Sequence, residues 1–138
     1  MSASTRFLCR LLGLYCLLAA LCMALHREAT VRMVAALLQD APLVFIVGLF
    51  TVVAGLALIL THNVWSGGSH AVLITLIGWV SLAKGLLFWL LPADATAELF
   101  LDRLQYARFF YLYMGVSALI GLYLTWGGFR GRQRSAAA

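Results

Sequence analysis

With 138 residues, 64% hydrophobic and 11% charged, the chain is far more apolar than a soluble domain, which averages about 45–50% apolar and 25% charged. Ten Lys and Arg stand against five Asp and Glu. These bases are scattered between apolar runs and along a tail, which argues against a nucleic-acid partner and for topology signals and contacts to anionic lipid head groups.

The first apolar run, residues 7–25, is interrupted only by Arg10, close enough to the end to snorkel. It is longer than the roughly 7–15-residue core of a signal peptide, and no small-x-small cleavage site follows, so it reads as a retained span. Cys9, Cys16 and Cys22 all fall in it without a C-x-x-C pair, which points to small buried apolar residues rather than a disulfide framework or redox motif.

Thr30 is expected to cap a short helix over residues 31–40, with Val31, Val34 and Leu38 on one face and Arg32 and Gln39 on another. Too short to span and amphipathic, it should lie at the membrane surface. Pro42 restarts the chain, and residues 43–60 form the second span, with Gly48, Thr51 and Gly55 on one face. The loop from Thr61 to His70 is rich in turn residues, and its Trp65 is of the type that settles at head-group level.

The third span, residues 71–91, carries Gly78, Ser81 and Gly85 along one side and a single charge, Lys84. About 21 residues at 1.5 Å each cover roughly 30 Å, the thickness of a hydrocarbon core. A lysine inside it costs about 2.5–3.5 kcal/mol on insertion scales and so needs a partner or a way to the interface. After Pro92, Thr96 is expected to cap a second surface helix over residues 96–106, with Glu98, Asp102 and Gln105 as a polar stripe and Leu101 and Leu104 as apolar contacts.

Residues 109–126 form the fourth span, with Ser117, Gly121 and Thr125 at i, i+4 and i+8 and an aromatic belt at Phe109, Phe110, Tyr111 and Tyr113. The tail carries Arg130, Arg132 and Arg134, and its end is expected to be disordered. The fold class is therefore all-α: a single polytopic membrane domain, a four-transmembrane-helix bundle with two short amphipathic surface helices.

An offset of 66 positions aligns Thr30 with Thr96, Gln39 with Gln105, Thr51 with Ser117 and Gly55 with Gly121. Each half then reads span, surface helix, span, a candidate parallel repeat about an axis along the membrane normal. Arg6, Arg10, Arg130, Arg132 and Arg134 lie on the terminal side, against Arg27, Arg32, Arg103 and Arg108 on the other. Five against four leans both termini towards the cytoplasm, and the plan suits a bacterial inner membrane.

Counting inward from the helix ends puts Lys84 about 10 Å deep from the surface-helix side, Thr51 and Ser117 about 12 Å, and Tyr113 somewhat shallower. These four are a candidate ligand- or partner-binding cluster. Lys84 has three readings: it snorkels or bonds Ser81, Tyr113 and backbone carbonyls; it meets an acid on a partner subunit; or it holds the head of a lipid, quinone or similar ligand. His62 and His70, at facing helix ends, are weak candidates for a metal or haem, since zinc wants further ligands that this side does not supply apart from Cys9. The small residues Gly48, Gly55, Gly78, Gly85 and Gly121 are candidates for close helix packing, within the chain or with another.

No Ser-His-Asp set, P-loop or paired-carboxylate pattern is present, so an enzyme has no nucleophile or acid to start from and no cofactor is expected. The piece GWVSLAKGLLFWLLP, residues 78–92, together with four spans and a short amphipathic helix after the first, resembles the DoxX-like group of small bacterial membrane proteins. In that group this helix opens the chain and the following span bears an acid, whereas here it is the third span and residues 109–126 hold no acid. The resemblance implies an accessory role. The expected function is an accessory or scaffold subunit that packs through small-residue faces against other membrane subunits or copies of itself. The alternative is a binder or carrier of a small lipophilic ligand around Lys84. A transporter or channel would need more polar groups along its path.

Overall fold

The computed structural model describes residues 2–66 and 68–130. Arg132, Arg134 and the tail's end lie outside the described residues. Four helices are long and apolar enough to cross a membrane: α1 (Ala3–Leu25), α3 (Ala41–Thr61), α4 (Ser69–Leu90) and α6 (Phe110–Arg130). Between them lie α2 (Arg27–Gln39) and α5 (Ala93–Ala97), the latter running into a π-helical turn, Glu98–Arg103. The protein is a four-span, all-helical membrane bundle. Its outward faces expose residues such as Phe7, Leu18, Phe50, Val80 and Leu119. That surface would be a liability in water and is what hydrocarbon requires.

Local chemistry sets the ends of these helices. The Ser2 hydroxyl accepts from Thr5 N–H at 3.1 Å to start α1. The Asp40 carboxylate accepts from Leu43 N–H at 3.0 Å to start α3, where Pro42 sits in the first turn and needs no intrahelical donor. Gly68, at φ +108°, supplies the backbone turn before α4. Within α4, the fully buried Thr75 hydroxyl donates towards the carbonyls of His62 and Ala71, at 3.0 and 3.1 Å, and accepts from Val64 N–H at 3.2 Å. One side chain thereby ties the α3–α4 loop down.

The short helices depart from their sequence expectation in detail. Thr30 does not cap a helix beginning at residue 31. Instead α2 starts at Arg27 with His26 before it, and Thr30 lies inside, buried, with its hydroxyl donating to Met23 O at 3.4 Å. Likewise Thr96 is fully buried within α5 and donates to Pro92 O at 3.1 Å. The expected continuous helix over 96–106 is replaced by the π-helical turn, ended by Gln105 in the left-handed region at φ 45°. Both threonines follow a residue that had already begun to turn, so their hydroxyls bond backward rather than forward.

Packing is pairwise. The antiparallel helices α3 and α4 lie against each other, as do α1 and α6, while α1 touches α4 and α2 touches α5. Exchanging α1 with α4 and α3 with α6 carries these four pairs into one another, as a two-fold along the bundle would, but the contact of α2 with α3 has no counterpart of like extent between α5 and α6. The glycines lie at the tightest crossings. A Cβ on Gly55 would stand 2.6 Å from Leu82 N, one on Gly85 2.7 Å from Val52 N, and one on Gly121 3.0 Å from Leu17 N. Gly48 lies against Phe88 and Trp89, and Gly78 against Leu58 and Ile59. Gly13, unremarked in the sequence, meets Gly121 and Thr125 across α6.

Two apolar clusters hold the ends together. Near the termini, Cys9, Ile74 and Leu124 are buried together. At the other end Leu38, Val44 and Phe88 are joined by Val34, Leu37, Val47, Phe100 and Leu101, so the apolar faces of α2 and the π-helical turn close over the spans. Arg27 fastens that end, donating to Ala107 O at 2.9 Å while its guanidinium lies over the Tyr111 ring.

Candidate functional site

The second cluster does not fill the space beneath it. A half-enclosed cavity of about 430 Å³ lies there, bounded by Lys84 and Phe88 of α4, Val34, Leu37 and Leu38 of α2, and Val47 of α3. Phe100 of the π-helical turn, Met23 of α1 and Tyr113 and Met114 of α6 complete it, with Leu104 and Tyr106. The volume lies within the roughly 300–1,000 Å³ of small-molecule sites. Its walls are hydrocarbon and aromatic, and Lys84 is its one charged group.

Lys84 reaches one turn along its own helix, so that Nζ stands 5.5 Å from the centroid of Phe88 and 5.8 Å from that of Phe100. Those two rings meet edge to face at 5.4 Å. A cation over aromatic faces gains about 0.5–2 kcal/mol. Withdrawing an ammonium from water costs several kcal/mol. Lys84 is itself exposed on the open side of the cavity, so within a membrane the rings alone do not balance the charge. All five acids of the chain are described, and none comes within ion-pair distance of Lys84; the ion pair formed among the described residues is Arg103 with Glu98, at 3.6 Å on the surface.

Tyr113 lines the same cavity, but its hydroxyl donates to Leu104 O at 3.0 Å and so holds the turn before α6. Tyr106 stacks on it at 5.9 Å. Burial pushes the Tyr106 phenol up, so it stays a protonated donor at neutral pH. Thr51 and Ser117 stand apart from the cavity lining: Thr51 donates to Val47 O in its own helix at 2.6 Å, and Ser117 lies against the Cys16 thiol. The structure thus brings Lys84 and Tyr113 together and leaves Thr51 and Ser117 within their helix pairs. The small-residue positions Gly48, Gly55, Gly78, Gly85 and Gly121 all face a helix of the same chain.

Phe88, Phe100 and Met114 were missed in the sequence. Phe88 is four residues after Lys84, on the same helical face, and that signal was available. Phe100 was not recoverable from a 3.6-residue period, because the π-helical turn shifts the register of side chains.

At the opposite end, the His62 carbonyl accepts from Thr75 while its ring is buried, and His70 stacks on Tyr123 at 4.3 Å and packs against Gly127. Among the described residues no group of three or more His, Cys, Asp or Glu is placed to hold a metal ion. The three cysteines are free thiols, Cys9 buried and Cys22 exposed. No protein-family model, curated protein or solved structure matches this chain.

Proposed function

We propose that the protein is a membrane-embedded binding protein for a small amphiphile, whose polar head meets Lys84 and whose body lies among Phe88, Phe100 and the α2 side chains. The observation that carries this reading is a lone ammonium at the wall of an apolar cavity with no acid of its own chain in reach. Docking as an accessory subunit through the glycine stripes is the other expectation from the sequence. Those stripes already lie against neighbouring helices of the chain, which moves the weight from docking to ligand binding. Purification in a mild detergent followed by native mass spectrometry tests it. One small-molecule adduct per chain, released on activation, is the expected result; a bare chain with neither adduct nor partner would contradict it.

We further infer a bacterial inner membrane with both ends cytoplasmic. Support comes from Arg6 and Arg10 at the start of α1 and from Arg130 at the end of α6 with the arginines beyond it. A green fluorescent protein fused after Ala138 should then fluoresce and an alkaline phosphatase fused there should be inactive. The reverse pattern would invert the orientation.

A further inference from the structure

Beside the Lys84 cavity runs a second groove of about 380 Å³ between the end of α1 and α2, passing Cys22, Ala29 and Met33. Met23, Val34 and Leu37 line both spaces, so the two are neighbours across shared side chains. The first space holds one Lys, and the second adds His26 and Thr30 but no Lys, Arg, Asp or Glu.

Resting on the amphiphile reading above, we propose that the ligand is a single-chain carboxylate: its head group neutralises Lys84 under α2 and the π-helical turn, and its hydrocarbon tail runs out along the α1–α2 groove. Three observations select this class. A neutral ester or alcohol would leave the ammonium uncompensated among hydrocarbon and aromatic walls, whereas one carboxylate brings the site to zero net charge and forms a charge-assisted hydrogen bond. Nζ stands 5.8 Å from the Phe100 ring of the π-helical turn, which packs with the α2 residues Val34, Leu37 and Leu38, and a head group reaches it through the open side of the cavity. The groove beyond Met23 and Val34 is mainly apolar, with His26 and Thr30 among its lining, and its volume of about 380 Å³ suits one acyl chain rather than two.

The full-length chain in phosphatidylcholine nanodiscs, with empty nanodiscs as the blank, tests the assignment. Radiolabelled palmitate should bind at least tenfold more tightly than methyl palmitate. That preference should vanish in Lys84→Met and persist in Lys84→Arg, which also shows that a changed side chain at this position leaves the fold intact. Ala29→Trp, which plugs the groove, should weaken palmitate several-fold and spare octanoate. If methyl palmitate binds as well as palmitate and Lys84→Met weakens both, the carboxylate assignment falls and the amphiphile site stands. If phosphatidic acid added to the nanodiscs displaces palmitate at equal mole fraction, the single-chain assignment falls. If Ala29→Trp weakens palmitate no more than it weakens octanoate, the tail route falls. If the wild-type chain holds none of these probes above the blank, both this assignment and the amphiphile reading fail.

Discussion

Replacing Gly55 with leucine is expected to cost the fold about 3 kcal/mol, at the upper end of what overpacking a close contact costs. A Cβ there would stand 2.6 Å from Leu82 N and 2.9 Å from Leu82 Cα. These are backbone atoms, so no rotamer change relieves the clash and α3 must move away from α4. Helix association in lipid has no hydrophobic drive between spans, and it rests on dispersion contacts that fade within an ångström of separation. Gly121 occupies the equivalent place against Leu17 on α1 and should behave alike. Gly115→Ala is the control: nothing lies within 4 Å of its Cβ, and its effect should be near zero. Thermal unfolding in detergent, read on the helical signal, checks both. Equal melting of the Gly55 and Gly115 variants would mean that α3 and α4 do not cross where described.

Lys84→Met is expected to separate stability from binding. The thioether fills nearly the same volume and removes a cation from apolar walls. Lys84 keeps an exposed surface on the open side of the cavity, and in a membrane exchanging a charge there for an apolar group removes a desolvation cost. Melting should therefore stay the same or rise. Retention of the co-purifying amphiphile should fall at least tenfold, which corresponds to about 1.4 kcal/mol. A variant that unfolds would show instead that Lys84 has a structural partner. Unchanged retention would remove the lysine from the site.

The sequence carried the four spans well, because runs of some 20 apolar residues have one physical solution in lipid. It also picked out Gly55, Gly85 and Gly121, since a residue without a side chain amid leucines is meaningful at helical spacing. Which helices pair was harder to see. The apolar faces of α1, α3, α4 and α6 resemble one another, and what separates α1 on α6 from α1 on α3 is the fit at single positions such as Gly13 against Thr125. Polar groups on the spans misled in a different way. Thr51 was grouped with Lys84 by depth alone, but a threonine hydroxyl in a helix readily bonds the carbonyl one turn back, as Thr51 does with Val47. Lys84 lacks that local option, and its placement at a cavity follows from it. The caps expected at Thr30 and Thr96 failed for the same reason: each hydroxyl bonds a carbonyl on its N-terminal side.

The measurement that bears most directly on the account is photolabelling of the chain in its native membrane with a diazirine-bearing amphiphile, with the adducts mapped residue by residue. Labels concentrated on Val34, Leu37, Phe100 and Met114, and lost from them in Lys84→Met, are the expected result. Labels confined to lipid-facing residues such as Phe50 and Leu119, in the same amounts in wild type and variant, would contradict it.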